Sequence, residues 1–265
     1  MPEVKVVGFS HRLSTRRKAR RLAVANQIVD NLSESVAGAD MVILATPIFT
    51  FEQIFTEISG VLQPDCIVTD VGSTKVFPHR WAGKILPKTV FYVGSHPVAG
   101  SEQRGVEVAR ADLFEQSYCI IATTKTTNHQ AVGILKRFWS QLGCAVHLMS
   151  PVEHDRVFAN ISHLPHVLAA TLVNVSDLEE LKFAGKGFID TSRIASGPAN
   201  VWVDVLLANN RNISRGIERV IRRLTKLQKA LEAKDRDQMS SFLSAAREKR
   251  AVFLNYGTRR KEPTL

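Results

Sequence analysis

Cys66-Ile67-Val68-Thr69-Asp70-Val71-Gly72-Ser73 is the stretch that decides the architecture. Small, apolar and β-branched residues run together and then stop at aspartate, glycine and serine. Such a run, bounded by turn residues, is the pattern of a strand buried on both faces. The pattern recurs on either side of it. Val4 to Phe9 ends in Ser10-His11-Arg12, Met41 to Ala45 ends in Thr46-Pro47, and Phe91 to Gly94 ends in Ser95-His96-Pro97. Tyr118 to Ala122 and Ala145 to Leu148 read as two more strands. Helical spacing lies between them. Ser14 is placed to cap a helix through Leu22 and Ala25, Phe51 to Leu62 repeats Ile54, Phe55, Ile58 and Leu62, and Gln130 to Leu142 reads as a third helix. Apolar strands alternating with helices imply an α/β fold, a parallel sheet covered on both faces. Ligands of such sheets bind at the carboxyl ends of the strands. Those ends carry Ser10, Thr46, Asp70, Ser73 and His96.

After Pro151 the character changes. Glu153 to Val175 has one long apolar-rich helical pattern interrupted by Pro165, Asn200 to Leu231 has a longer one, and Ser240 to Phe253 forms a last helix. The expected division is residues 1–151 as the sheet-bearing domain and 152–265 as an all-helical one. The helical stripes exceed what one small domain buries alone, so a homodimer through these helices is expected, against the plainer alternative of an intrachain bundle.

Apolar residues make up 45% of the 265 and charged residues 23%, the composition of a globular protein with a substantial core. Cys66, Cys119 and Cys144 are far apart and lack zinc or redox spacing, so they read as core hydrophobes in a reducing compartment. The amino end is not a signal peptide, and no run of about 18 apolar residues occurs, so the expected location is the cytoplasm and no membrane partner is expected. The formal charge of +10 admits nucleic acid or anionic small molecules as partners. Most of the carboxy-terminal basic residues are spaced along helices between leucines and isoleucines, the pattern of a solvated face. Nucleic-acid binding rests only on Arg16 to Arg21 and the net charge, with no recognised fold or aromatic platform behind it.

Five motifs follow one another in order: Asp70-Val71-Gly72-Ser73-Thr74-Lys75; Gly94-Ser95-His96-Pro97-Val98-Ala99-Gly100-Ser101-Glu102; Glu153-His154-Asp155; Ser162-His163-Leu164-Pro165-His166; and Gly187-Phe188-Ile189-Asp190-Thr191-Ser192-Arg193-Ile194-Ala195-Ser196. Together they resemble the prephenate and arogenate dehydrogenase family, from about Val4 to about Arg250. Ser95 stands where a second glycine is common in that family, and Val98 where methionine is. The resemblance implies a Rossmann-like doubly wound sheet, a helical dimerisation domain, and oxidative decarboxylation of a cyclohexadienol with hydride transfer to NAD(P).

His96 is the candidate proton acceptor, because imidazole takes up and sheds a proton near neutral pH. Ser73 is expected to hydrogen-bond it and fix its tautomer, as the family counterpart does. Arg193 is the candidate clamp for a substrate carboxylate, through two parallel bonds; its plainer alternative is an ion pair with Asp190. The resemblance places His163 and His166 in the substrate pocket and His154 near the cofactor; Glu102 is a candidate gating or pairing carboxylate at the pocket mouth, and Ser101 a further candidate substrate contact. Ser101, Trp202 and Asn209 match the family pattern and are equally explained as structural. Thr46, Pro47 and Asp70 are candidate cofactor contacts. No metal is expected: HExxH is absent, and at ~100° per residue His154 and His163 face opposite sides of a continuous helix.

No G-x-G-x-x-G occurs in the chain. A dinucleotide fold begins strand, glycine-rich turn, helix, and Val4 to Phe9 matches the family's second strand. The expectation is a start assigned too far downstream, leaving an incomplete sheet; a true truncation or a rearranged fold are the alternatives. A catalytically dead binding or regulatory module would share every other motif. The second strand ends in Ser10-His11-Arg12 without an acid, so NADP is expected over NAD.

Overall fold

The computed structural model describes residues 4–99 and 105–258. The strands and helices alternate as β1 (Val7–Gly8), α1 (Leu13–Arg21), β2 (Gln27–Ile28), α2 (Leu32–Val36), β3 (Met41–Leu44), α3 (Phe51–Ile58), β4 (Ile67–Asp70), α4 (Val76–Ile85), β5 (Phe91–Tyr92), β6 (Gly94–Val98), β7 (Tyr118–Ala122), α5 (His129–Gln141) and β8 (Ala145–Met149). β3, β4 and β5 pair in parallel, as do β1 with β2 and β7 with β8. The pairing of β6 with β7 is antiparallel, so the sheet is not parallel throughout. β6 follows β5 after one residue, Val93, and no crossover intervenes. Among the described residues no ladder joins the β1–β2 pair to β3–β4–β5. Ile43, in the middle of β3, is 41% exposed although its strand reads as a buried one.

Alternate residues of β4 face opposite ways. Val68 packs with Leu44, Phe51, Phe55 and Trp81, while Ile67 packs with Ile121, Leu135 and Trp139. The two clusters cover the two faces of the sheet. Ala208, from the helical half, joins the first cluster and ties that half to the sheet.

Several elements depart from the sequence reading. α1 begins at Leu13 behind Arg12, with no side-chain cap, so Ser14 lies inside the helix. β2 and α2 are too short to show periodicity. α4 was hidden by Pro78, which sits in the first turn, where an N–H has no intrahelical partner and proline is tolerated. The pattern over 153–175 is three segments: α6 (Pro151–Phe158), a π-helical turn (Ala159–His163) and α7 (Leu164–Asn174). Pro165 has no N–H for the carbonyl four residues back, and the wider turn absorbs the loss. A π turn advances less per residue than an α turn, so His154 and His163 do not diverge as a regular helix would make them. Both rings are fully buried.

α8 (Leu178–Leu181) carries a capping box closed by Asp177 and Glu180, and α9 (Lys186–Ser192) runs into a 3-10 turn at Arg193–Ser196. The stripe from 200 to 231 is two helices, α10 (Ala199–Ala208) and α11 (Asn210–Glu232), separated at Asn209 with φ −119° and ψ 24°. The chain separates into compact units at 210/211. In the second unit α11 leads through Lys234, in the left-handed region at φ 53°, to α12 (Arg236–Thr258), whose first turn is capped by Asp235.

Phe55 is wholly buried, edge-on to Phe51 and Tyr92. Phe55→Ala is expected to lower stability by about 3–5 kcal/mol, read as a lower urea midpoint with unchanged slope.

Candidate active site

The site grows from the carboxyl end of β4. Asp70 is fully buried, and its carboxylate pairs with the Lys75 ammonium, accepts from the Gly72 N–H at 2.7 Å and accepts from the Tyr92 hydroxyl at 2.6 Å. Lys75 is equally buried. Gly94 borders this pair: a Cβ there would meet His79 Cε1 at 2.7 Å and Lys75 Cδ at 3.1 Å, so the close approach requires glycine.

Lys75 is also the N-cap of α4, whose first N–H groups need acceptors. Asp155, from α6, supplies both: the Lys75 N–H donates to Oδ1 at 2.7 Å and the Val76 N–H to Oδ2 at 2.9 Å. The positive end of the helix dipole favours a carboxylate there. Burial pushes the Asp155 carboxyl upward, and the two backbone N–H groups oppose it.

Asp155 Oδ1 lies 2.8 Å from His154 Nδ1, and His154 Nε2 lies 2.8 Å from His96 Nδ1. Phe158 stacks on His154 and packs against His96 at 4.7 Å between centroids. Burial, then the neighbouring His154 and Lys75, hold His96 well below the ordinary histidine value. His154 falls to about 2, through burial and then Lys75. The Asn209 amide donates to the Asp155 carbonyl at 2.6 Å and meets His163 Nδ1 at 3.1 Å. His163 is lowered to about 4, chiefly by burial. His166 is lowered by burial too, and its ring lies flat on Trp202 at 3.5 Å. A Cβ at Gly197 would come within 2.4 Å of Trp202 Nε1, so glycine permits this stack.

The sequence candidates divide accordingly. His96, His154, His163 and His166 all lie in or beside one buried polar chain. Ser73 is half-buried, and among the described residues no hydrogen bond joins it to His96; the Nδ1 partner is His154. His154 thus stands behind His96. Asp70 is committed to internal partners. Arg193 is exposed on a 3-10 turn that packs against α7, the helix of His166. Thr46 is exposed, its hydroxyl 2.7 Å from that of Thr50, and Pro47 precedes the short turn that leads into α3. The turn after β1 is held by Arg16, which donates to the carbonyls of Ser10 at 2.5 Å and His11 at 3.2 Å, leaving Arg12 exposed. Ser101 and Glu102 lie outside the described residues. Among the described residues no group of three His, Cys, Asp or Glu is placed to hold a metal, and no helix is long and apolar enough to cross a membrane.

The sequence reading missed Asp155, Lys75 and Tyr92 as members of this chain, and left Asn209 without a task. The available signals were an aspartate beside a histidine on an apolar helix and a lysine five residues after a strand-end aspartate.

Residues 1–148 match the family model described as prephenate dehydrogenase, nucleotide-binding domain, and residues 150–245 match prephenate dehydrogenase, dimerization domain. The chain belongs to the prephenate dehydrogenase family. It is 33% identical to a prephenate dehydrogenase of Bacillus subtilis, over 94% of this chain and 69% of that protein. It is 30% identical to a cyclohexadienyl dehydrogenase of Zymomonas mobilis, over 90% of this chain and 83% of the other. A crystal structure of prephenate dehydrogenase from Aquifex aeolicus, in complex with hydroxyphenyl propionate and NAD+, superposes with a TM-score of 0.86 at 31% identity, covering 95% and 90% of the two chains. The family's doubly wound nucleotide-binding fold followed by helices is therefore the fold of this chain.

Two outcomes test the site's energetics. Lys75→Met leaves Asp70 buried without its cation and is expected to cost about 3–5 kcal/mol, measured by urea unfolding; adding Asp70→Asn should recover part of that. Secondly, the pKa values of His79, His96, His154, His163 and His166 are all depressed in the folded chain. Their contribution is complete above the unfolded value of about 6.5 and is lost as pH falls below it, because the unfolded chain then binds more protons. The urea midpoint should therefore drop between pH 7 and 5.

Proposed function

We propose that this member of the family is a nicotinamide-dependent dehydrogenase that oxidatively decarboxylates prephenate or arogenate in tyrosine biosynthesis. The observation that carries the reading is a buried, neutral imidazole in the middle of β6, His96, held by a polar chain that reaches back to a helix N-terminus.

The turn at Ser10, His11 and Arg12 and the ends of β3 and β4, with Thr46 and Pro47, suit the adenosine and nicotinamide ends of a dinucleotide. No residue of this sequence is assigned to the pyrophosphate, since the glycine fingerprint does not occur in it. A bound nicotinamide supplies the hydride acceptor. His96 takes the hydroxyl proton as hydride leaves the same ring carbon. The bond to the ring carboxylate breaks, its electron pair enters the ring, carbon dioxide departs and a phenolate results, which takes the proton back from His96 to become the phenol. Ser73 borders this reaction site. Arg193 holds a substrate carboxylate, His163 and His166 line the pocket, Ser101 and Glu102 serve as further substrate contacts, and His154 backs His96 on the cofactor side. Asp70 supports the cofactor-facing strand end from beneath. Arg12 favours the 2′-phosphate of NADP over the bare ribose of NAD.

In this reading residues 1–151 bind the dinucleotide, and 152–265 bind substrate and form a homodimer. Phe183 and Leu178 are 89% and 82% exposed, and Leu224, Leu231 and Leu243 lie on exposed faces of α11 and α12, which supports a second copy as their cover. Three buried free cysteines suit the cytoplasm.

His96→Asn is expected to lower kcat/KM by about 10²–10⁴-fold in an assay at 340 nm with both substrates and both cofactors. Because the His96 pKa is depressed, the acid limb of the kcat/KM profile should lie below pH ~6.5; a limb above that value contradicts the role. Arg12→Asp should turn cofactor preference towards NAD, and an unchanged NADP-to-NAD ratio would remove Arg12 from the cofactor site.

A further inference from the structure

The hydrogen bonds around Asp155 have a direction. Its carboxylate already accepts two backbone N–H groups, from Lys75 and Val76, so the third contact must bring a proton as well. That contact is His154 Nδ1, at 2.8 Å. His154 is neutral, pressed to about 2 by burial and then Lys75, so a proton on Nδ1 leaves Nε2 bare. The group 2.8 Å from Nε2 is His96 Nδ1, which must then be the donor. A neutral His96 with its proton on Nδ1 has an unprotonated Nε2. Among the described residues nothing hydrogen-bonds that atom.

We propose that Asp155 and His154 are positioning residues that set the tautomer of His96 by a one-way chain of hydrogen bonds anchored on the N-terminus of α4, leaving Nε2 as the proton acceptor. A free imidazole can carry its single proton on either nitrogen, and the wrong choice would present an N–H to the substrate hydroxyl where a lone pair is needed. Asp155 is fitted to anchor the chain because its two backbone donors cannot rotate or reverse, unlike a hydroxyl. Phe158 stacks flat on His154, at 19° between planes, and stops the ring from turning over. The Asn209 amide bonds the Asp155 carbonyl and fixes the backbone from which both side chains project. The inference rests on the proposed role of His96 as base, but its central statement concerns where protons sit in the folded chain and is measurable without turnover.

The test is a two-bond proton–nitrogen correlation spectrum of the full chain labelled with 15N-histidine, with His96 assigned by its loss in His96→Asn. The wild type should show His96 with a pyrrole-like Nδ1 and a pyridine-like Nε2. His154→Phe keeps the stack on Phe158 but removes the acceptor, so His96 should move to the Nε2–H form. His154→Gln keeps an amide N–H for Asp155 and an amide oxygen for His96, and should retain the wild-type pattern. In the activity assay His154→Phe should lower kcat by about 10²-fold with KM values little changed, and His154→Gln should recover most of that loss. A wild-type His96 carrying its proton on Nε2 overturns the proposal, as does a His154→Phe spectrum still in the Nδ1–H form. If His154→Phe does not fold, the wild-type and His154→Gln spectra decide. Absence of turnover in the wild type with either substrate would sink the dehydrogenase reading while leaving the spectra to judge the relay.

Discussion

The capping of α4 by Asp155 is the contact on which the rest of the site depends. It joins a helix of the sheet-bearing half to the first helix after the sheet, across 80 residues of sequence. One carboxylate satisfies two N–H groups that burial would otherwise leave orphaned, and each such orphan costs about 1–3 kcal/mol. The same carboxylate orients His154 and, through it, His96. Stability and chemistry here share one group, so selection for one cannot readily be separated from selection for the other.

The buried polar residues are affordable because nearly all have partners within reach. Asp70 and Lys75 are both without solvent access, which ordinarily costs several kcal/mol per ion. Tyr92 and the Gly72 N–H supply additional hydrogen bonds to the carboxylate. The Lys75 charge also bears on the imidazoles nearby and helps keep His154 and His96 neutral. A cation placed beneath a base lowers its proton affinity in the resting state, which keeps the acceptor vacant at neutral pH.

Much of this was legible in the chain itself. The apolar runs at 66–69 and 118–122 became buried strands because such runs cannot be left in water, and those at 41–45 and 145–148 became strands beside them although Ile43 and Leu148 stay exposed. His96 stood out by its place just after the run at 91–94. Its partner did not, because sequence shows neighbours along a strand and says little about a helix 58 residues later. Ser73 was the natural guess from adjacency of strand ends, and geometry chose His154. The reversal of β6 escaped notice since Ser95-His96-Pro97 reads as the turn that ends β5, and nothing local announces pairing with the opposite sense. α4 escaped because proline reads as a breaker until its position in the first turn is known. The relation of His154 to His163 was misjudged by assuming 3.6 residues per turn where the backbone widens.

That widened turn carries a further consequence for how the chain tolerates change. Over 159–163 the helix holds one residue more than regular winding would need. Deleting a single residue there would restore ordinary winding with α7 kept in register, whereas the same deletion in α6 would rotate every side chain downstream by about 100° around the axis. His163, His166 and the face of α7 would then point elsewhere while each element remained well formed. The length of α6 is thus under as strict a constraint as the identity of the histidines that follow it, while the widened turn is where the chain best tolerates the loss of a residue.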